Sequence, residues 1–464
     1  MKKLPFLLLW TVLASVLPTA NHAATFEEVF FDVPAELITE AIPTPTAQLQ
    51  AVPGYPDDAQ RLTLIGRLYL PDAMAHGTGP YPAVVIMHGS GGVWSNDLIA
   101  NGLSNQFEEW GELLSDLGYL ALFPDSYNPR GIPGNFASRR PHHDPNIDDH
   151  LCSPNYERPK DVVAALTYLV TRQDFDGSNV ALMGFSHGAQ TALNAMLDPS
   201  VDLGNYTVSY VDEGGTIQKA VPSPVRIPQQ LPLPKVCAFF YGGGSHYGYH
   251  GTASSVTAGR YMFHRDTKVL MFHGTEDSLL GVDNPQAGPT FTGNFYPIKQ
   301  ALSSSAQAAD IGVPDPLQHH FLMNGVEHSF DGVDDAAPED WNTMNESADQ
   351  KAKRLCRAEV LKWFTAHLKT PAPLTISEGP SAAELTLSSG THTHLRHQWQ
   401  FTTDFSMWSN LGDEFDGTGM DASSNLMKNE ADHRFYRLSS QPIPPPLDAP
   451  ENDGFFFDYA DFGL

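Results

Sequence analysis

The sequence predicts an α/β fold, a mainly parallel sheet flanked by helices, followed by a small β-rich module. Three observations carry this expectation. Between Arg61 and Leu368, short apolar or β-branched runs alternate with amphipathic stretches, the pattern of a parallel sheet covered on both faces. Thr370-Pro371-Ala372-Pro373 then interrupts the alternation. Beyond it, Ser, Thr, Gly and aromatic residues continue to Leu438 with little helical period.

Composition narrows the function. The 464 residues are enough for two folded units, or one large unit with a satellite, and for a sizeable core. With 27 Lys and Arg against 54 Asp and Glu, the formal charge is −27. Nucleic-acid binding rests on cations displacing counterions from phosphates, so a nucleic-acid partner is excluded. The same charge repels anionic membranes.

The chain opens on Lys2-Lys3, an apolar run from Leu4 to Leu17, and small residues through Ala20, Ala23 and Ala24. That order is expected of a secretory signal over 1–24, which places the mature chain outside the cytoplasm. The run is shorter than the ~20 residues of a span, and no later segment is long and apolar enough to be transmembrane. Residues 25–60 read as an N-terminal extension. Strands are expected at 61–70, 83–87, 119–123, 180–183, 236–241, 269–272 and 320–323. Helices are expected where Val162, Ala165, Leu166 and Leu169, and then Ala352, Leu355, Val360, Trp363 and Phe364, recur at helical spacing. Two loop-like insertions, 128–156 and 201–234, interrupt the alternation and suit the rim of a site. Residues 370–380 read as a linker, 381–440 as the β module, and 441–464 as a Pro-rich and acidic aromatic tail.

The strongest chemical signal is Gly184-Phe185-Ser186-His187-Gly188, placed between an apolar strand and the helical AQTALNAML. A nucleophile elbow needs that context: a strand ending in a strained turn, glycines that allow close approach, and an immediate helix. Ser186 is the expected nucleophile. A serine hydroxyl needs a base, and the base an orienting acid, in the order Ser, Asp, His. Asp277 follows the apolar strand in KVLMFHGTED, and His328 follows the last strand in GVEHSF. Glu276 and Asp283 compete as acids. His187, His273, His319 and His320 compete as bases. For the oxyanion, His88-Gly89-Ser90-Gly91-Gly92 after a strand offers backbone donors, and the expected pair is the N–H of Ser90 and of His187. A phosphate cradle is the other reading of such a loop, but no Gly-Lys-Ser/Thr follows it.

With these motifs in view, residues of about 60–370 resemble the dienelactone hydrolase family of α/β-hydrolases. The HGSGG loop, the elbow, the turn Asp125-Ser126-Tyr127-Asn128-Pro129-Arg130-Gly131, a downstream Cys, Arg158 with Asp161, and HGTED around Asp277 carry the resemblance. Ser186 and Gly89 stand where dienelactone hydrolases proper have a Cys nucleophile and an acidic residue. The resemblance therefore implies the α/β-hydrolase fold and the Ser-using secreted relatives, mostly assigned as carboxylic ester hydrolases. The C-terminal module, with Trp408, is similar to small β modules on secreted bacterial proteins.

Gly89, Gly91, Arg130, His246 and Tyr247 are candidates for the pocket wall. His142, His143, Asp144, Asp148, Asp149 and His150 crowd one insertion, but lack a defined metal-ligand spacing, and no metal or other cofactor is expected. Of three cysteines, Cys152 and Cys237 are the expected disulfide pair, with Cys356 a core residue. The expected activity is a serine hydrolase cleaving a small-molecule or polymer ester through an acyl-enzyme. A peptidase or lactone hydrolase on the same fold, and a binding protein with a degenerate hydrolase domain, are the alternatives.

Overall fold

Tyr81–Met87, Leu120–Pro124, Val236–Phe240 and Lys268–Gly274 are nearly unbroken apolar runs, and each forms a strand buried almost throughout. Such runs suit a parallel sheet covered on both faces. The computed structural model describes residues 24–132, 152–196, 225–242, 267–279 and 318–369 apart from a few positions, with the backbone of strands within 206–221 and 375–442. Its strands are β1 (Thr25–Asp32), β2 (Thr63–Leu70), β3 (Tyr81–Met87), β4 (Leu120–Pro124), β5 (Phe175–Phe185), β6 (Tyr206–Asp212), β7 (Gly215–Val221), β8 (Val236–Phe240), β9 (Lys268–Gly274) and β10 (Gln318–Met323). The main sheet has eight of them, in the order β1-β2-β4-β3-β5-β8-β9-β10. From β4 to β10 every pairing is parallel, whereas β2 runs antiparallel to both β1 and β4. The expected α/β-hydrolase fold is present.

Helices α1 (Ala47–Gln50), α2 (Ala73–His76), α3 (Asn105–Asp116), α4 (Arg158–Leu169), α5 (His187–Ala195) and α6 (Ala348–Leu368) complete the described part of this unit. Successive strand residues face opposite ways, so the sheet divides the core in two. Val85 and Met87 join Val162, Leu166 and Leu169 of α4 and Ala192 and Leu193 of α5. Val84 and Ile86 join Phe107, Trp110 and Leu114 of α3 and Val360 and Phe364 of α6. Each fully buried large apolar side chain here contributes roughly 1.5–3 kcal/mol. Helix α6 starts at a capping box, with Ser347 and Gln350 each satisfying a backbone N–H of the other.

The structure corrects four expectations. The N-terminal extension contributes β1, paired along its whole length with β2. Its TFEEVFFD run mixes half-buried acids with apolar residues because it lies at the edge of the sheet. The insertion 201–234 holds the hairpin β6–β7. In the C-terminal module, strand β11 (Thr375–Glu378) lies inside the expected linker. With β12 (Glu384–Gly390), β13 (Leu395–Thr402), β14 (Ser409–Asp416), β15 (Asp421–Met427) and β16 (Phe435–Pro442), it forms the three-stranded sheets β11-β12-β15 and β14-β13-β16. Finally, Cys152 and Cys237 are both buried, and neither is in a disulfide. Cys237 faces the core on β8, while Cys152 packs with Tyr127 and Ile132, so the two thiols belong to separate clusters.

Two measurements test the packing. A Cβ at Gly188 would lie 2.1 Å from the Met87 carbonyl oxygen, whereas one at Gly91 would meet nothing within 4 Å. Gly188→Ala should cost about 3 kcal/mol or more in urea denaturation, and Gly91→Ala less than about 0.5 kcal/mol. At the end of α6, burial, with Lys268 and Lys235 nearby, lowers the His367 pKa to about 4. Its unfolded value is near 6.5, so its stability contribution is complete above that pH and is lost as pH falls toward 4. The His367→Gln protein should lose stability less steeply than wild type between pH 6.5 and 4.

Candidate active site

Strand β5 ends at Phe185, α5 begins at His187, and Ser186 alone makes the turn, with φ 51 and ψ −117. This positive-φ conformation is unfavourable for a residue with a Cβ, and the surroundings hold it in place. The Ser186 N–H donates to the Phe240 carbonyl at 2.9 Å, and its own carbonyl accepts from Gln190 N–H at 3.2 Å. Added Cβ atoms at Gly184 and Gly188 would lie 2.3 Å from the Gly188 oxygen and 2.1 Å from the Met87 oxygen. Only glycine at both positions lets α5 start this close to the sheet.

The three residues expected from sequence meet here. His328 Nε2 lies 3.0 Å from Ser186 Oγ, and His328 Nδ1 lies 2.7 Å from Asp277 Oδ2. An ionised carboxylate only accepts, so Nδ1 carries the ring proton and Nε2 is free to accept from the serine hydroxyl. Asp277 is 3 % exposed, and its Oδ1 accepts from Leu279 N–H at 3.0 Å. Glu276, the competing acid, is exposed at the surface. Of the competing bases, His273 is buried on β9 with Nε2 3.6 Å from the same Asp277 oxygen. His187 is turned inward to Arg158, its Nδ1 2.6 Å from that guanidinium.

Sequence reasoning passed over the support for the imidazole. The Tyr241 ring meets the His328 ring edge-on, with centroids 4.6 Å apart. The Tyr241 hydroxyl donates to Asp331, which also accepts from Gln106 Nε2 at 2.7 Å. Burial pushes the Asp331 carboxyl above its usual range despite these donors. Tyr241 follows directly on β8, and Asp331 lies three residues after His328. Those positions were the available signals.

In the loop expected to supply oxyanion donors, Gly89 lies against Ser186, where an added Cβ would be 3.5 Å from the Ser186 Cβ. Ser126 N–H donates to His88 Nε2 at 3.1 Å, so the His88 proton is on Nδ1 and donates to the Gly89 oxygen at 2.7 Å. Tyr127 OH also reaches that oxygen, at 3.4 Å. A trans peptide sends its N–H opposite to its carbonyl, so anchoring the Gly89 oxygen inward turns the Ser90 N–H outward from the buried network. Burial, reinforced by the Arg158 charge, lowers the His88 pKa well below the ordinary imidazole value.

The turn after β4 supports this loop. Asp125 Oδ1 accepts from Tyr127 N–H at 2.7 Å and Asn128 N–H at 3.2 Å, while Oδ2 accepts from Trp94 Nε1 at 2.7 Å and Asn128 Nδ2 at 2.6 Å. Arg130 does not line a pocket as expected. It is 2 % exposed and pairs with both Asp161 oxygens, at 3.0 and 2.6 Å, because the turn directs its side chain into the protein. Gly91 borders open space. His246, Tyr247, Asp283 and the His142–His150 cluster lie outside the described residues, as do the side chains of His319 and His320. Among the described residues, no group of His, Cys, Asp and Glu is placed to hold a metal, and no helix is long and apolar enough to cross a membrane.

No curated protein matches the chain. Among solved structures, a dienelactone hydrolase-like promiscuous phosphotriesterase from metagenomic libraries is 16% identical, with TM-score 0.41, over 75% of this chain and 100% of its own. A propionate-bound thermophilic esterase from the Planctomycetes species Thermogutta terrifontis is 14% identical, with TM-score 0.36, over 65% and 89%. An S-formylglutathione hydrolase from Agrobacterium tumefaciens is 13% identical, with TM-score 0.38, over 75% and 98%. Residues 66–217, which include the HGSGG loop, the turn after β4 and the serine elbow, match the model of the dienelactone hydrolase family. By that match, residues 66–217 of this chain are similar to the dienelactone hydrolase family.

Proposed function

We propose that the protein is a secreted serine hydrolase that cleaves carboxylic esters through an acyl-enzyme. The continuous chain of contacts from Ser186 Oγ through His328 to Asp277 is the observation that carries this reading. In the reaction, Ser186 Oγ attacks the ester carbonyl carbon while His328 Nε2 removes its proton. The N–H groups of Ser90 and His187 receive the oxyanion. Collapse of the tetrahedral species breaks the acyl C–O bond, and His328 returns the proton to the leaving alcohol. Water then attacks the acyl-enzyme by the same route, releasing the acid and regenerating Ser186. Asp277 holds the imidazole tautomer and stabilises the imidazolium. The leader-like run at the N-terminus motivates the secreted setting.

Turnover of p-nitrophenyl acetate and butyrate, with fluorophosphonate labelling, tests the assignment. Wild type should hydrolyse at least one of these esters and take the label, and Ser186→Ala should do neither. Equal inertness of both proteins toward esters and probe would overturn the reading. Asp277→Asn should keep substrate binding and lower kcat by about 10³–10⁴-fold, as expected when the wrong imidazole tautomer faces the serine.

A further inference from the structure

Arg158, the first residue of α4, has no solvent exposure, and among the described residues no carboxylate is hydrogen-bonded to it. Its nearest acidic neighbour on the helix, Asp161, is occupied by the two-pronged contact from Arg130. Arg158 instead spreads its guanidinium over three neutral acceptors. Nε donates to Ser126 Oγ at 3.0 Å, one terminal nitrogen to His187 Nδ1 at 2.6 Å, and the other to the His88 carbonyl at 2.7 Å. The Tyr127 ring lies 5.5 Å from its central carbon.

Two of these acceptors belong to the two separate pieces of backbone assigned to the oxyanion. His88 starts the loop that carries Ser90, and holding its carbonyl inward sets the 88–89 peptide plane from which the next plane continues. His187 is the first residue of α5, and its imidazole is the handle by which that end of the helix is gripped. We propose that Arg158 is the positioning residue that holds the Ser90 and His187 amides in register with each other. This rests on the ester-hydrolase reading for the role of those amides, while the placement of the peptides is a matter of structure alone. A planar fork with fixed donor directions can grip three acceptors at once, whereas a lysine ammonium is a single point charge on a flexible stem. Simple charge neutralisation of Asp161 would not require this arrangement, because Arg130 already provides it.

The test compares Arg158→Gln, Arg158→Lys and Ser126→Ala with wild type. Three quantities are measured: kcat and KM per fluorophosphonate-titrated site, the Ki of an alkyl boronate, and the crystal structure of the 88–91 loop. Misaligned donors should lower kcat by about 100-fold in Arg158→Gln and raise the boronate Ki in parallel, with KM within about threefold of wild type. Arg158→Lys should recover part of the loss, and Ser126→Ala should show a smaller loss in the same direction. In the crystals, the 88–89 or 89–90 peptide should be turned relative to wild type. A merely structural role would lower thermal stability and leave kcat, Ki and the peptide planes of the titrated enzyme unchanged, which would overturn the inference. If Arg158→Gln does not fold, the same comparison on Arg158→Lys and Ser126→Ala decides it. If wild type proves inert toward esters, the ester reading fails by itself. The loop crystal structures then still decide whether Arg158 sets the peptide planes.

Discussion

The absence of a side chain at two positions governs this site. Helix α5 begins against the carbonyl oxygens of β3 and its own first turn, at distances that leave no room for a Cβ on Gly184 or Gly188. That approach forces the intervening residue into a positive-φ conformation and lifts its hydroxyl clear of the sheet. The rest of the site is arranged around that fixed point. His328 reaches it from beyond β10, the Gly89 loop lies beside it, and the Phe240 carbonyl of β8 holds its amide.

Polar groups in this region are buried on a scale that requires each to be satisfied. Asp125 meets the requirement with four donors from its own turn and Trp94, Asp161 with the Arg130 fork, and Asp331 with Tyr241 and Gln106. The first two of these solutions account for the length of the turn after β4: Asp125 shapes it, Ser126 and Tyr127 face the Gly89 loop, and Arg130 ties it to α4. A turn with so many inward obligations cannot also supply a pocket wall.

Strands flanked by turns and buried on both faces were legible in the sequence, because a continuous apolar run avoids water only when it is covered from above and below. The elbow and its two partners were legible for a related reason: each sits immediately after such a run. The edge strand β1 was not, since its three acids break up the apolar run that marks the other strands. The hairpin β6–β7 lies among prolines that suggested loop. Cys152 and Cys237 show the limit of reasoning from compartment and residue count, because pairing is decided by where each thiol is buried, Cys237 in the core at β8 and Cys152 against Tyr127 and Ile132. Asp331 was hidden by chemistry, and Arg158, though part of the motif set, showed no role, as charged residues read from sequence disclose their function only once burial and partners are seen.

The order of strands carries one mechanical implication. Asp277 and His328 descend from the adjacent strands β9 and β10 at one margin of the sheet, while Ser186 stands on β5, nearer its centre, with β8 between. The carboxylate and imidazole therefore ride together on the outermost pair, and the serine is anchored to the interior. Where β9 and β10 loosen from β8 as a pair, the hydroxyl parts from the ring while the ring keeps its acid, so separation of this pair from the interior is enough to break the contact with the serine.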